Sequence, residues 1–337
     1  MIWCPFQSTA QSGYEYMLDE KSGKQFQMQA EMLANRVLKR YRHLQKRFAR
    51  ENIEIFRLYD WDIPEIRAAV DWYAGHLVIA EYTRKQSKPE WLPMMGEAVA
   101  NALKVPHENI HLKERRIGSQ EGVRYERIAY TDQKIIMSER DLRFYINLYD
   151  YLDTGLFSDH RNTRKMIRDL SANKDVLNLY CYTGSFSCYA AKGGARKTVS
   201  VDRSETAISW ARENMALNGI SGETNILVQA SVFNFLKTAK RENRKFDLAV
   251  VDPPSFSKTR VTGDDFDIVR DHPRLLQGVA DLMKQGSLIF FSTNHQDFSP
   301  VMDAIGFAEV KEITSETIPE DYISKRKTIH RCWKIRV

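Results

Sequence analysis

The sequence has few of the residues that build disulfide or zinc frameworks. Its 337 residues include four cysteines, Cys4, Cys181, Cys188 and Cys332, and no two of them have the spacing of a metal-binding pair. We therefore expect reduced thiols and no bound metal. A hydrophobic stretch long enough to span a membrane and a signal-like start are also lacking, which favours a cytoplasmic protein.

Glycine is scarce at the point where a dinucleotide site would need it. The segment from Val176 to Asp202 has the pattern of a strand, a turn, a helix and a second strand that ends in an acid. A dinucleotide site needs G-x-G-x-x-G at the turn, whereas this turn offers Gly184 followed by the bulky Phe186. The missing pyrophosphate cradle favours S-adenosylmethionine, which has no phosphates. Taken alone, the segment also fits an ordinary strand–turn–helix unit.

The turn and the acid have separate predicted roles. The absent side chain of Gly184 is expected to let the backbone approach a ligand at the start of the helix. Asp202 follows Gly184 by eighteen positions, and its two carboxylate oxygens suit the paired hydroxyls of a ribose. The cofactor contacts predicted in this unit are Tyr182, Thr183, Gly184, Ser185, Phe186, Asp202, Arg203 and Ser204.

A second motif, FDLAVVDPPSFS, starts at Phe246. It has the pattern of a buried strand that stops at Asp252-Pro253-Pro254. The two prolines remove backbone donors and restrict φ, so their carbonyl groups are free to accept hydrogen bonds from a base. Phe256 could stack on that base. We predict a catalytic loop with Asp252, Pro253, Pro254 and Phe256, in which Asp252 also borders the cofactor; a plain strand-ending proline loop is the alternative.

The elements around these motifs complete the pattern of a seven-strand class I methyltransferase, a Rossmann-like α/β fold. After a helix from Ser204 to Gly219, a strand from Ile226 to Gln229 leads into Ser231, Val232 and Phe233, the expected adenine contacts. The elements predicted beyond the catalytic loop are a helix over 274–283, a strand over 287–292 and a terminal hairpin of 308–314 with 329–336.

Positive charge is concentrated before this domain. The net charge is +6, and the segment from Arg36 to Arg50 holds seven Lys or Arg and no acid. The segment predicts an amphipathic helix, and its charge favours phosphate contact over a merely solvated face. The predicted RNA contacts on this helix are Arg36, Lys39, Arg40, Lys46 and Arg47.

The region between the basic helix and the first motif predicts a separate α+β domain that binds RNA. Its expected strands cover 55–59, 77–82, 110–113, 124–128 and 134–138, with a helix over 90–103. Lys113, Arg115 and Arg116, together with Arg124, are expected on one hairpin. The predicted division of the chain is a leader over 1–30, an RNA-binding domain over 31–145 and a catalytic domain over 146–337.

Six segments from about Ala34 onwards resemble the RlmK family, the C-terminal half of bifunctional 23S rRNA methyltransferases. They are RLYDWDIPE, NLYDYLDTGLFSDHR, NLYCYTGSFSCYAAKGGA, DPPSFSKTR, FDIVRDH and IHRCW. The resemblance implies methylation of guanine N7 in 23S rRNA, with Phe157 and Arg161 added to the cofactor contacts. Ser231 stands where that family usually has an acid for the adenine amino group.

Three other functions are weighed against this one. A 5-methylcytosine enzyme needs a cysteine nucleophile, and the close relatives of this kind carry it just after the sixth strand, where this chain has Ser292-Thr293-Asn294. A non-catalytic ribosome-assembly factor would not need both Asp202 and the Asp252 loop. A dehydrogenase would need the missing glycines.

Overall fold

Two β-sheets organise the chain, a four-stranded sheet in the N-terminal part and a seven-stranded sheet in the C-terminal part. The structure is a computed structural model and describes residues 20–84, 87–116, 127–257, 265–324 and 326–337. Among the helices in these ranges, none is long and apolar enough to cross a membrane.

The predicted basic helix is the C-terminal half of a longer helix. Helix α1 spans Glu20–Arg50, and its apolar stripe of Leu33, Val37, Leu44 and Phe48 is buried. Residues 20–30 are therefore helical rather than part of a leader, whereas residues 1–19 lie outside the described ranges.

Helix α1 packs on one face of the four-stranded sheet. The strands are β1 (Ile55–Asp60), β2 (Ala68–Tyr73), β3 (His76–Thr83) and β4 (Ile110–Arg116), in the order β1-β2-β3-β4. Helix α2 (Trp91–Leu103) connects β3 to β4, which pair in parallel. The predicted hairpin of β4 with residues 124–128 falls largely outside the described ranges, which leave out residues 117–126. Strand β2 was missed by the sequence prediction.

A separate hairpin joins the two sheets. Strands β5 (Ile135–Glu139) and β6 (Leu142–Ile146) pair in antiparallel fashion. Phe144 stacks on Tyr189, and the Trp210 indole N–H donates to the Tyr145 carbonyl at 3.0 Å. This hairpin packs on the C-terminal part of the chain, although the predicted boundary after residue 145 assigns nearly all of it to the RNA-binding domain.

The C-terminal part is an α/β unit with a mostly parallel sheet, as predicted. Its strands are β7 (Asp175–Leu179), β8 (Lys197–Asp202), β9 (Asn225–Gln229), β10 (Phe246–Val251), β13 (Met283–Thr293), β14 (Glu309–Glu312) and β15 (Arg331–Arg336), in the order β14-β15-β13-β10-β7-β8-β9. A small ladder joins β11 (Phe256–Ser257) to β12 (Phe266–Asp267). The helices are α3 (Arg161–Leu170), α4 (Ser185–Lys192), α5 (Glu205–Leu217), α6 (Val232–Arg241), α7 (Ile268–Ala280) and α8 (Thr314–Thr317).

Candidate active site

A cleft of about 1500 Å³ lies between the two parts of the chain. Its floor is formed by the residues that follow the carboxyl ends of β7, β8, β9 and β10, the edge where open parallel sheets bind ligands. Its other wall is the face of the four-stranded sheet that carries Arg57, Tyr73 and Tyr82. Both predicted motifs therefore open into one space.

The turn after β7 is held in unusual backbone conformations. Tyr180, Tyr182 and Gly184 have φ angles of 57°, 48° and 76°. A Cβ at Gly184 would lie 2.9 Å from the Ala211 Cβ of α5. The glycine is needed because α5 approaches closely, which corrects the prediction that its missing side chain admits a ligand.

The remaining residues of this unit divide between cleft and core. Tyr182, Ser185, Phe186 and Arg203 line the cleft. The Thr183 hydroxyl is buried and donates to the Gly155 carbonyl at 2.6 Å. Thr183 and Gly184 therefore stabilise the turn on its buried side.

Asp202 lines the cleft at the end of β8. Its Oδ2 accepts from the Tyr182 N–H at 3.0 Å and its Oδ1 from the Ser204 N–H at 2.9 Å. Burial raises the pKa of this carboxyl group, and the backbone N–H groups act in the opposite direction. Each carboxylate oxygen can still accept another hydrogen bond, so the carboxylate fits the two hydroxyls of a ribose. Ser204 itself caps α5 by accepting from the Ala207 N–H, and it does not line the cleft.

Ser231, Val232 and Phe233 line the cleft at the end of β9, where adenine contacts were predicted. The Ser231 hydroxyl oxygen accepts from the Asn234 N–H at 3.3 Å and caps α6. The Arg274 guanidinium lies 4.3 Å from the Phe233 ring centroid. Ser231 therefore has one acceptor site already occupied by the backbone.

The predicted catalytic loop, Asp252 to Phe256, is held by residues from the end of β13. The Ser292 hydroxyl donates to Asp252 Oδ1 at 2.6 Å, and the Ser255 hydroxyl donates to Asn294 Oδ1 at 2.5 Å. Asp252, Pro253, Pro254 and Phe256 all line the cleft. The sequence prediction treated 292–294 as the place of a missing cysteine and did not anticipate this support.

Two histidines and an aspartate adjoin the catalytic loop. His160 Nε2 lies 3.5 Å from Asp252 Oδ2, and His330 Nδ1 lies 2.9 Å from Asp159 Oδ2. Burial lowers the pKa of His160, with Asp252 acting in the opposite direction. Burial acts to raise the pKa of Asp159. The two histidines lower it by a larger amount, so the pKa lies below the usual range.

This cluster has the side-chain types of a metal site but not the geometry. The His160 and His330 rings are stacked, with centroids 4.2 Å apart and planes 10° apart. Imidazole lone pairs lie in the ring plane, so two parallel rings do not direct them to a common point. His330 is instead hydrogen-bonded on both ring nitrogens, with Asp159 Oδ2 at 2.9 Å and the Thr317 hydroxyl at 3.1 Å. Asp159, His160 and His330 were missed as site residues, although the segments FSDHR and IHRCW contain them.

Phe157 and Arg161 occupy different environments. Phe157 lines the cleft, with its ring centroid 5.2 Å from that of Tyr182. Arg161 is buried outside the cleft lining, donates to the Ile55 carbonyl at 2.8 Å and pairs with Asp321. The structure therefore gives Arg161 an internal structural position rather than the predicted cofactor contact.

The predicted RNA contacts on α1 fall into two groups. Arg36 pairs with Asp62 at 2.7 Å, the Arg40 guanidinium donates to the Glu320 carbonyl at 2.6 Å, and Arg47 pairs with the Glu320 carboxylate. Lys39 and Lys46 are exposed. In the described part of the chain, Lys39 and Lys46 have no carboxylate within ion-pair distance, whereas Arg36 and Arg47, which are also partly exposed, are paired.

The predicted contacts on β4 also occupy different environments. The Lys113 ammonium is buried, donates to the Tyr151 carbonyl at 2.5 Å, and has its pKa lowered by burial to about 8. Lys113 is therefore an internal contact rather than a surface cation. Arg115 lines the cleft and lies 3.2 Å from Asp153. The side chain of Arg116 lies outside the described part of the structure.

Comparison with known proteins identifies the class to which this fold and site belong. The sequence profile of S-adenosylmethionine-dependent methyltransferases matches residues 68–303, and the chain belongs to this family. The predicted cofactor is thereby confirmed.

A curated relative and two solved structures refine the comparison. Ribosomal RNA large subunit methyltransferase K of Neisseria meningitidis serogroup B is 42% identical over 312 residues, which cover 90% of this chain and 86% of the relative. SMU.776, described as a candidate methyltransferase and solved with SAH, has a TM-score of 0.73 at 21% identity, covering 92% of this chain and 82% of its own. The SAM-dependent methyltransferase of Agrobacterium tumefaciens has a TM-score of 0.58 at 15% identity, with coverages of 80% and 87%. These two structures share the fold.

Proposed function

We propose that the protein methylates N7 of a guanine in 23S rRNA and does so in the cytoplasm, where ribosomal RNA is found. The observation that carries the proposal is the meeting of the cofactor residues and the Asp252 loop in one cleft, in a chain 42% identical to a large-subunit rRNA methyltransferase.

The cofactor is assigned to the floor of the cleft. When bound, S-adenosylmethionine supplies an electrophilic methyl group on a sulfonium. Asp202 accepts hydrogen bonds from the ribose hydroxyls, and Phe157, Tyr182 and Phe186 exclude water around the reacting centre. The adenine is assigned to Ser231, Val232 and Phe233.

The target base is assigned to the catalytic loop. Asp252 accepts from guanine N1–H or the exocyclic amine, the Pro253 and Pro254 carbonyls accept at the same edge, and Phe256 stacks on the ring. Guanine N7 has a lone pair and no proton to lose, so the reaction needs in-line positioning rather than a general base. Ser292 and His160 contact the Asp252 carboxylate and restrict its orientation.

The raised pKa values of the cysteine thiols argue against the 5-methylcytosine alternative. Attack on cytosine C6 requires a thiolate. Cys181 lines the cleft, but burial raises its pKa well above the usual value, and Cys188 is buried with its pKa raised to about 12. A protonated thiol is a poor nucleophile.

We also propose separate roles for the two parts of the chain. The N-terminal sheet with α1 holds the RNA against the methyltransferase unit, and Lys39, Lys46 and Arg115 supply phosphate contacts. Of the eight cations predicted to bind RNA, these three are assigned to phosphate here, and Arg116 stays a prediction because its side chain is not described.

The test is transfer of labelled methyl groups to 23S rRNA, followed by reduction and aniline treatment, which cleaves RNA at N7-methylguanine. We expect cleavage at one guanine. Asp252→Ala should lose activity by orders of magnitude, while Cys181→Ser and Cys188→Ala should leave a single turnover near normal. A cooperative thermal unfolding transition close to that of the unmodified protein would show that each variant is folded.

Two results would contradict the proposal. Label on cytosine C5, or a covalent adduct between a thiol and RNA, would favour the cysteine mechanism. Failure to bind S-adenosylmethionine, with RNA binding intact, would favour the non-catalytic assembly factor.

A further inference from the structure

We infer that a surface of cations and aromatic rings at the mouth of the cleft binds the single-stranded RNA next to the target guanine. This inference rests on the proposed function and deepens it. The surface, called here the Trp61 surface, consists of Trp61, Arg67, Tyr82, Arg326 and Lys327.

Strand pairing brings three of these residues together. The Trp61 N–H donates to the Ala68 carbonyl at 2.9 Å, and the Tyr82 N–H donates to the Arg67 carbonyl at 2.8 Å. Trp61, Arg67 and Tyr82 therefore lie at the same end of β1, β2 and β3. The Trp61 and Tyr82 rings are stacked, with centroids 5.7 Å apart and planes 25° apart.

The orientation of the Trp61 ring is fixed without a bound ligand. Its φ angle is 52°, and its indole N–H donates to the Pro64 carbonyl at 3.1 Å. A ring held in place loses little conformational freedom on binding, which favours its use as a stacking platform.

Three cations surround the two rings. The guanidinium carbons of Arg67 and Arg326 lie 4.7 and 5.4 Å from the Trp61 ring centroid. The Lys327 ammonium lies 5.2 Å from the Tyr82 ring centroid.

The charge of these cations is not neutralised by nearby acids. Within the described part of the chain, none of Arg67, Arg326 and Lys327 has a carboxylate within ion-pair distance, and Arg67 Nη1 is buried without a hydrogen-bond partner. By contrast, Arg168 and Arg331 are paired with Asp141 and Glu312. The Trp61 surface thus offers uncompensated positive charge beside flat rings.

This surface is continuous with the active site. Tyr82 and Lys327 line the same cleft as Asp252. Lys327 also lies three residues before His330, whose ring stacks on His160 beside the Asp252 carboxylate. An RNA strand that places a guanine in the catalytic loop can therefore extend past Lys327 and Tyr82 to the Trp61 surface.

The chemistry points to single-stranded RNA. Its bases have exposed faces that stack on aromatic rings, and its phosphates attract cations, whereas the bases of a duplex are already stacked on each other. An acidic peptide would use the cations but would not need the rings.

The experiment measures the affinity of an RNA fragment in which a single-stranded segment contains the target guanine. Trp61→Ala and the double variant Arg326→Gln/Lys327→Gln remove the ring and the charges separately. Trp61→Phe keeps a ring. The matched charge control is Lys192→Gln/Lys197→Gln, because these lysines lie at the end of α4 and the start of β8, at the edge of the sheet opposite the cleft.

We expect Trp61→Ala to weaken RNA binding by roughly tenfold, the effect of losing one stacked base. The Arg326/Lys327 variant should lower the slope of log affinity against log salt by about 1.4, at about 0.7 for each single-strand phosphate contact. Trp61→Phe and the lysine control should bind like the unmodified protein. The affinity for S-adenosylhomocysteine should not change in any variant.

The results distinguish the two proposals. If the unmodified protein methylates the RNA and both surface variants bind it equally well, the Trp61 surface is not an RNA site. If only the Arg326/Lys327 variant is impaired while Trp61→Ala binds normally, the surface attracts anions without stacking a base, and the inference is wrong. If the unmodified protein binds S-adenosylhomocysteine but neither binds nor methylates the RNA, the proposed function itself fails.

Discussion

At Asp202, burial and hydrogen bonding act in opposite directions on the same carboxyl group. Burial disfavours the charge, and the backbone N–H groups of Tyr182, Arg203 and Ser204 favour it. Donated hydrogen bonds from ribose hydroxyls would add to the second effect. The residue thus combines a structural role in the turn with the proposed role in cofactor binding.

Replacement of Asp202 tests the second role. Asp202→Ala should lose about 1.5–3 kcal/mol of S-adenosylmethionine affinity, the range for a charge-assisted hydrogen bond. Asp202→Asn keeps one carbonyl acceptor and should lose less. Calorimetry well below each variant's melting temperature separates weaker binding from unfolding. Equal affinity in the alanine variant would remove Asp202 from the site.

At the scale of elements, α1 faces three environments at once. One side is buried in the core, a second contacts Asp62 and Glu320, and the third is exposed. The seven Lys and Arg between Arg36 and Arg50 look alike in the sequence, which does not reveal this division.

Two matched double variants separate the roles of the helix. Lys39→Gln/Lys46→Gln should weaken RNA binding and reduce its salt dependence without changing stability. Arg40→Gln/Arg47→Gln should lower the free energy of unfolding by about 1 kcal/mol, since partly exposed pairs contribute little. Urea unfolding and RNA titration check both. An RNA affinity that responds equally to the two variants would argue against the division.

Strand β4 carries a histidine whose protonation opposes folding. His111 Nε2 lies 3.2 Å from His76 Nδ1. Burial, His76 and Lys113 together lower the pKa of His111 to about 4. The unfolded chain therefore binds a proton near pH 6.5 that the folded protein does not bind until about pH 4, and stability is lost as pH falls through this window.

The pH dependence of the melting temperature checks this expectation. His111→Asn removes the titrating group, so the fall in stability between pH 6.5 and 4.5 should be smaller in the variant, by about 2 kcal/mol. The comparison is made within each protein, so a constant loss from altered packing does not affect it. Parallel pH profiles for the two proteins would show that other groups dominate.

At the scale of the whole molecule, buried arginines join the two parts of the chain. Arg161, at the start of α3, reaches the Ile55 carbonyl of β1 and Asp321 near the C-terminus. The Arg57 N–H donates to the same Asp321 at 2.9 Å. The cleft walls are therefore held together by contacts that lie outside the cleft.

Loss of Arg161 should affect stability rather than cofactor binding. Arg161→Ala leaves Asp321 buried without its counter-charge and should cost about 3–5 kcal/mol. The double variant Arg161→Met/Asp321→Asn removes both charges and should cost less. Denaturant unfolding measures the difference. A stable Arg161→Ala protein with weakened S-adenosylmethionine affinity would instead support the cofactor role predicted from the sequence.

Local patterns determined the class of this protein. The strand that ends at Asp202, the Asp252-Pro253-Pro254 loop and the apolar stripe of α1 are each encoded within a short stretch of residues, and the structure contains all three. Their order predicts the α/β sheet because strand and helix periodicity depend on near neighbours. The cofactor followed from the same local evidence.

Only the tertiary structure decided which polar side chains reach the cleft. Arg161 and Lys113 look like surface cations in the sequence but are buried against carbonyl groups from distant segments. His160 and His330, separated by 170 positions in the chain, stack beside Asp252. Such pairings depend on how β1, α3 and β15 pack against one another. Burial and hydrogen bonding between distant residues follow from that packing, and no local periodicity encodes it.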